Sequence, residues 1–224
     1  MPTIIDFKNK NWSLSFARLL QNNVMNFVKE KGECSVMLTG GRSAENLYKS
    51  WANYSGFKGL KNVTFYVGDE RIVTTLHPKS NSAMIEKTLF SLGIPTNCKF
   101  RKVDCDCLDP IQIAVNYEKL LPKVVDVLLL SVGEDGHIAS LFPHDDALKP
   151  SDRLFVPIRN KIEGFSRVSI TPKYIRRATL VYVLAIGPSK SMSIKLAMMN
   201  PESIGEYPAR LVLGSTWITN GLTD

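Results

Sequence analysis

A histidine stands beside two carboxylates in segment 133–137, whose sequence Gly-Glu-Asp-Gly-His directly follows an apolar run rich in Val and Leu. A neutral imidazole can take a proton from water near neutral pH, and a neighbouring carboxylate can fix its tautomer and stabilise the imidazolium that forms. This arrangement predicts that His137 is a general base, with one of the two neighbouring acids, Glu134 or Asp135, as its supporting carboxylate. The alternative is a structural histidine in a turn. The other two histidines, His77 and His144, stand beside proline in polar segments and lack such a run before them.

A second cluster, Thr-Gly-Gly-Arg-Ser at 39–43, stands where a predicted strand meets a predicted helix. Gly40 and Gly41 let the backbone approach a ligand closely, and the amide groups of the following helical turn favour an anion. Ser43 can add a hydroxyl donor and Arg42 a positive charge, so these residues are candidate ligand contacts. The alternative is a tight turn with Ser43 as the helix N-cap and nothing bound. The spacing matches neither a dinucleotide-binding fingerprint nor a Walker loop.

Three cations and one acid complete the candidate set. In Gly-Asp-Glu-Arg at 68–71, Asp69 can hold sugar hydroxyls and Arg71 a phosphate, or the two can form an ion pair that pins a loop. Arg167 precedes a Val-Ser-Ile-Thr strand, and Lys190 lies in the first turn of a helix that opens with proline. A lysine beside a helix N-terminus is unfavourable unless an anion also binds there. The alternative for both residues is ordinary surface charge.

Strand-like and helix-like segments alternate along the chain and must position these clusters. The predicted strands cover 3–7, 34–38, 63–67, 99–103, 124–132, 154–158, 168–170 and 179–186, and the predicted helices 12–31, 43–54, 80–90, 110–120 and a last one from 188. This alternation predicts a single Rossmann-like α/β domain over residues 1–224, with a mostly parallel sheet and helices on both faces. Ligands of such sheets bind beyond the carboxyl ends of the strands, where the clusters stand. Segment 143–164, rich in proline and charge, is predicted to be a long loop or small excursion.

Composition fits a globular protein with a substantial core, since 44% of the 224 residues are hydrophobic. No apolar run approaches the ~20 residues that span a bilayer. The first residues lack the basic-then-apolar order of a signal peptide. We therefore expect a cytoplasmic protein with no membrane partner.

The formal net charge of +7 raises nucleic acid as a partner. The basic residues are scattered, however, and form neither a block nor a stripe interleaved with aromatic residues. The sequence therefore predicts no nucleic-acid partner. Some of the charge can meet an anionic small molecule, whereas most of the basic residues are predicted to form a solvated surface with a basic bias.

The four cysteines, at 34, 98, 105 and 107, are predicted to be reduced thiols. Cys105 and Cys107 invite a metal interpretation. They lack the two-residue gap and the second pair that a zinc site requires, so no metal is expected.

Five motifs together resemble a known family. They are Thr39-Gly-Gly-Arg-Ser, Gly68-Asp-Glu-Arg with Ser80-Asn81, Gly133-Glu-Asp-Gly-His-Ile-Ala-Ser-Leu-Phe-Pro, Arg167-Val-Ser-Ile-Thr and Gly187-Pro-Ser-Lys. In this order they are similar to 6-phosphogluconolactonases, within the superfamily that includes glucosamine-6-phosphate isomerase/deaminase. The resemblance runs from about residue 12 to Trp217, and the third motif is its specific part.

The resemblance implies a Rossmann-like fold, no metal, no cofactor, and hydrolysis of 6-phospho-D-glucono-1,5-lactone to 6-phospho-D-gluconate, the second step of the oxidative pentose phosphate pathway. It implies that His137 is the general base and Asp135 its supporting carboxylate. The implied sugar-phosphate contacts, together with the candidate Asp69, are Gly40, Gly41, Arg42, Ser43, Arg71, Arg167 and Lys190. We expect a monomer or weak homo-oligomer.

Two departures and two rival functions accompany the resemblance. The family often has Ser-Thr-Pro where this chain has Arg-Ser-Ala at 42–44, and proline where Thr74 stands. The deaminase branch shares Asp-Gly-His but places a glutamate five residues after the histidine, where this chain has Phe142. Phenylalanine has no proton to give or take, which favours the lactonase. A non-catalytic sugar-phosphate-binding module is the other alternative.

Overall fold

The computed structural model describes residues 1–8, 11–106, 109–162 and 164–221, and at 160–162 the backbone without its side chains. Within these ranges the strands are β1 Thr3–Asp6, β2 Cys34–Leu38, β3 Val63–Val67, β4 Asp69–Arg71, β5 Lys99–Arg101, β6 Val127–Ser131, β7 Phe155–Ile162, β8 Phe165–Ile170, β9 Leu180–Leu184 and β10 Thr216–Thr219. The helices are α1 Trp12–Lys31, α2 Arg42–Ala52, α3 Asn81–Thr88, α4 Pro110–Glu118, α5 Pro172–Ile175 and α6 Lys190–Met198. No helix in these ranges is long and apolar enough to cross a membrane.

A seven-stranded sheet, in the order β1-β10-β9-β6-β2-β3-β5, forms the centre of the fold. Every neighbouring pair in it is parallel. The predicted α/β fold with a mostly parallel sheet is therefore confirmed. Because the strands run the same way, their carboxyl ends meet at one edge, and the segments that follow β2, β3 and β6 emerge there together.

Both faces of this sheet are covered. Consecutive residues from Val36 to Leu38 in β2 and from Val127 to Leu130 in β6 are fully buried. Since successive side chains of a strand point to opposite faces, this burial requires packing on both sides. Burial on both faces explains why these parts of β2 and β6 are continuously apolar.

A second, three-stranded antiparallel sheet has the order β4-β8-β7. The sequence predicted strands at 154–158 and 168–170 but did not separate them from the parallel sheet, and the long loop expected at 143–164 is wrong where β7 occupies its second half. Two residues separate β7 from β8, a connection that suits a hairpin and therefore antiparallel pairing. This sheet carries Arg71 and Arg167 as a directly opposed pair.

Local signals set several helix ends. Gly32 ends α1 in the left-handed region, at φ 80°, and donates its N–H to the Val28 carbonyl. The Ser80 hydroxyl accepts a hydrogen bond from the Ala83 N–H and caps α3. These helices begin and end where the sequence alone predicted them to within a few residues.

Candidate functional site

A cavity of about 560 Å³ opens at the carboxyl edge of the parallel sheet. We call it the central cavity. Nine of the ten candidate residues line it: Gly40, Gly41, Arg42, Ser43, Asp69, Arg71, His137, Arg167 and Lys190. The tenth, Asp135, contacts the imidazole of His137. The three strand-end clusters, spread over residues 39–137 of the sequence, thus meet at one place.

His137 and Asp135 form a short side-chain hydrogen bond at the cavity wall. The imidazole Nδ1 lies 2.6 Å from Asp135 Oδ1, which also accepts a hydrogen bond from the His137 backbone N–H at 3.2 Å. Because the carboxylate accepts, it favours the tautomer with the proton on Nδ1 and leaves the lone pair on Nε2. Burial acts to raise the pKa of Asp135, but the hydrogen bond and charge of His137 outweigh it and lower that pKa below its usual range.

Glycines make room for this pair. A Cβ at Gly133 would overlap both His137 Nδ1 and Asp135 Oδ1. Gly136 has φ 81°, a conformation that favours glycine, and the ring of Tyr207 fills the space where its Cβ would stand. The Gly133 N–H donates to the His137 carbonyl at 2.8 Å and closes the loop on itself.

Segment 68–71 divides its side chains between two directions, as expected of a strand. Asp69 lines the central cavity and accepts hydrogen bonds from the Ser140 hydroxyl at 2.7 Å and from Asn81 Nδ2 at 3.4 Å. Arg71 also lines the cavity, and its Nη1 donates to the Lys79 carbonyl at 2.9 Å. In the described structure no ion pair joins Asp69 to Arg71, so that alternative is wrong.

Glu70 points away from the cavity and anchors α3. It is 1% exposed and accepts hydrogen bonds from four donors: the backbone N–H groups of Arg71, Asn81 and Ser82 and the hydroxyl of Ser80. Burial raises the pKa of Glu70 even though these hydrogen bonds oppose the rise. The carboxylate therefore ties β4 to the first turn of α3.

Three of the predicted cations line the cavity. Arg71 and Arg167 are register partners across β4 and β8, and Arg167 is 3% exposed. Lys190 adds a third cation, and burial lowers its pKa despite the opposing charges of Glu134 and Asp135. The arrangement suits a bound anion.

The N-terminus of α2 faces the same cavity. The helix begins at Arg42, so its N-cap is Gly41 (φ 96°) and no side chain caps it. The alternative in which Ser43 is the N-cap is therefore wrong. Gly40 packs so closely on Asn81 that a Cβ there would overlap the amide oxygen. Helix N–H groups and the dipole both favour an anion at such an end.

Several residues in or beside the cavity were not singled out by the sequence as ligand contacts. Asn81 lines the cavity and donates to both the carbonyl and the carboxylate of Asp69. Ser140 lies behind Asp69, and Phe142 packs against His137. All three belong to the motifs quoted above, which is the signal that marks them.

No metal-ligand cluster is found within the described ranges, meaning no group of three or more histidine, cysteine and acidic side chains. Cys34, Cys98 and Cys105 are free thiols there. Burial raises the pKa of the Cys105 thiol to about 12. Cys107, the other half of the Cys-Asp-Cys motif, lies outside the described residues.

Comparison with known proteins gives consistent matches. The family model described as glucosamine-6-phosphate isomerases/6-phosphogluconolactonase matches residues 8–219. A 6-phosphogluconolactonase from Synechocystis is 32% identical over 196 residues, 83% of this chain and 80% of that protein. One from Haemophilus influenzae is 29% identical over 84% of each chain. In fold, the chain is similar to the crystal structure of a 6-phosphogluconolactonase from Shewanella baltica, with a TM-score of 0.87, 20% identity and 98% of each chain covered.

Proposed function

The chain belongs to the family of glucosamine-6-phosphate isomerases and 6-phosphogluconolactonases, and within it we propose that the chain hydrolyses 6-phospho-D-glucono-1,5-lactone to 6-phospho-D-gluconate. The observation that carries the proposal is the His137–Asp135 pair at the wall of a cavity that Arg71, Arg167 and Lys190 also line. The relatives at about 30% identity that carry the lactonase name support it.

The phosphate end of the substrate would be held by the cations. Arg71 and Arg167 both line the central cavity, and each guanidinium group can form charge-assisted hydrogen bonds to a phosphate dianion. Lys190 and the N–H groups at the start of α2 border the same space and add charge and hydrogen-bond donors. Binding so far from the reacting carbon can hold the carbonyl in place for attack.

The reacting end would lie at His137. A water molecule attacks the carbonyl carbon C1 while His137 Nε2 takes one of its protons, and the carbonyl oxygen becomes an oxyanion. When this oxyanion collapses, the bond between C1 and the ring oxygen breaks. The imidazolium then returns its proton to the ring oxygen, which becomes a hydroxyl group. The new carboxylic acid loses its proton to solvent.

Asp135 would keep the imidazole ready for both steps. Its carboxylate holds the proton on Nδ1, so that Nε2 can accept, and it stabilises the positive charge that appears on the ring. The lowered pKa of Asp135 keeps this carboxylate ionised throughout the neutral range.

The deaminase reaction is the nearest alternative in the family. According to the resemblance, that branch works with a glutamate at the position of Phe142. The ring of Phe142 is 9% exposed and packs on His137 and Arg167, so no carboxylate stands there to assist ring opening. This observation favours the lactonase.

The test is a coupled assay with freshly generated lactone beside an ammonia-release assay with glucosamine 6-phosphate. We expect lactone hydrolysis above the spontaneous rate, which must be subtracted, and no release of ammonia. Ammonia release would assign the chain to the deaminase branch. Binding of sugar phosphates without turnover of either compound would identify a binding module. The cytoplasmic location, the monomeric or weakly oligomeric state, the place in the pentose phosphate pathway and the absence of a nucleic-acid partner stay predictions.

A further inference from the structure

Phe142 is an apolar residue shared by the two ends of the site. Its ring centroid lies 4.6 Å from that of the His137 imidazole, with 31° between the planes. The guanidinium carbon of Arg167 lies 5.4 Å from the same ring centroid. The proton acceptor and one of the phosphate-binding cations of the proposed reaction therefore contact a single buried ring.

The contact with His137 supplies a restraint that Asp135 does not. A hydrogen bond at Nδ1 fixes one atom of the imidazole but leaves the ring free to turn about that contact. Offset aromatic pairs at centroid separations of about 4.5–7 Å are favourable and fix the ring plane. Stacking on Phe142 therefore sets the direction in which Nε2 points.

The contact with Arg167 restrains the other end. A guanidinium within about 6 Å of an aromatic ring centroid is attracted to its face, most strongly where water is excluded. Arg167 is 3% exposed, so this condition is met. Arg167 and the imidazole of His137 are therefore both restrained by contact with the same ring.

We infer that Phe142 is a positioning residue whose ring fixes His137 and Arg167 relative to each other, so that a substrate held by its phosphate presents C1 to Nε2. This inference rests on the proposed lactonase function. In this role Phe142 contributes to the reaction by positioning other groups. Its difference from the glutamate of the deaminase branch showed only that it cannot transfer a proton.

The experiment compares Phe142→Leu, which removes the ring, with Phe142→Tyr, which keeps it. The matched control is Phe90→Leu, because Phe90 is 8% exposed, packs in an aromatic cluster and does not line the central cavity. We expect Phe142→Leu to lower kcat about tenfold or more with a smaller change in KM, because misaligned groups cost rate more than ground-state binding. Phe142→Tyr should keep most of kcat, and Phe90→Leu should lower stability with little change in kcat.

A second readout follows the imidazole directly. The chain has only three histidines, so the ring signals of His137 in a proton NMR spectrum can be assigned with a His137→Asn variant. We expect Phe142→Leu to shift these signals, through loss of the phenyl ring current, and Phe90→Leu to leave them in place. Should Phe142→Leu not fold, Phe142→Met fills the space without a ring and replaces it.

The outcomes separate this inference from the function on which it rests. Unchanged kcat in a folded Phe142→Leu protein, beside an active wild type, overturns the positioning role and leaves the lactonase standing. A loss of kcat in Phe142→Leu no larger than that in Phe90→Leu reduces Phe142 to packing and also overturns it, whatever the shift of the His137 signals. A wild type that does not hydrolyse the lactone removes the function itself and the inference with it.

Discussion

Two acidic segments follow β3 and β6 at the same edge of the parallel sheet, yet their carboxylates are held in opposite ways. In segment 133–137, Asp135 is half exposed, and the contacts of its Oδ1 are both to His137. In segment 68–71, Glu70 is buried, and its two oxygens together serve four donors of β4 and the start of α3. The two carboxylates also differ in pKa, which His137 lowers for Asp135 and burial raises for Glu70.

The difference shows that the fold uses one carboxylate in the proposed reaction and the other to hold its secondary structure elements together. A carboxylate whose partner titrates can respond when that partner gains a proton, which is what a general base requires of its neighbour. A buried carboxylate bound to fixed backbone donors holds geometry instead, since each of those donors would be costly to leave unsatisfied. Changes in segment 133–137 should therefore cost turnover, and changes at Glu70 should cost stability.

The largest effect is expected from His137→Asn. Loss of the general base should lower turnover by about 10²–10⁴-fold while the free energy of unfolding changes little, because the imidazole is partly exposed. The measurement is the coupled lactone assay beside a urea titration. His144→Asn is the matched control, since His144 is exposed and has φ 60°, which asparagine tolerates well. Near-normal turnover in His137→Asn would remove His137 from the mechanism.

Gly133→Ala moves the pair without removing it. The added methyl group would overlap His137 Nδ1 and Asp135 Oδ1, so one or both side chains must shift. A displacement of about 1 Å can cost about 10²-fold in rate, and we expect a loss of that order in kcat. Gly214→Ala is the control, because no heavy atom lies within 4 Å of a Cβ built there. Equal activity in the two variants would mean that the loop accommodates the methyl group.

Glu70→Gln should lower stability rather than turnover. The glutamine NH₂ group would face backbone N–H groups that now donate to the carboxylate, leaving one or more unsatisfied. We expect a loss of about 1–3 kcal/mol in the free energy of unfolding, measured with urea. Glu45→Gln, which alters an exposed ion pair with Lys49, should cost much less. A Glu70→Gln protein as stable as the wild type would contradict the anchoring role.

The sequence predicted the central sheet well because its strands carry their own signal. The predicted strands at 34–38 and 63–67 coincide with β2 and β3, and the helix from Trp12 to Lys31 ends where Gly32 stops it. The strands β4 and β10 were missed. β4 consists of Asp-Glu-Arg, which has no apolar pattern, and it pairs with β8, almost 100 residues later in the chain.

The site, too, could be predicted from the sequence only in part. Clusters placed after strands could be predicted, because parallel strands bring their carboxyl ends to one edge. The directions of the side chains could not be, since Glu70 and Asp69 diverge only once β4 is recognised as a strand. The contact of Phe142 with both His137 and Arg167 depends on the antiparallel sheet, which the sequence analysis did not separate.

The smallest effect, and the finest test of the comparison, is the pH dependence of stability at Asp135. A carboxyl group whose pKa is lower in the folded than in the unfolded state stabilises the fold above its unfolded pKa of about 3.9, and this contribution is lost as the pH falls through the folded pKa. Asp135 is half exposed, so solvent screening limits the contribution to less than about 1 kcal/mol. The stability difference between wild type and Asp135→Asn, measured with urea from pH 6 down to pH 3, should therefore shrink on acidification.

The folded pKa of Glu70 is raised instead, so its titration contributes with the opposite sign and makes folding less favourable as the pH rises from about 4.3 through the folded pKa. A difference at Asp135 that stays constant or grows toward pH 3 would mean that His137 does not hold that carboxylate in its charged form, and the contrast between the two segments would fail.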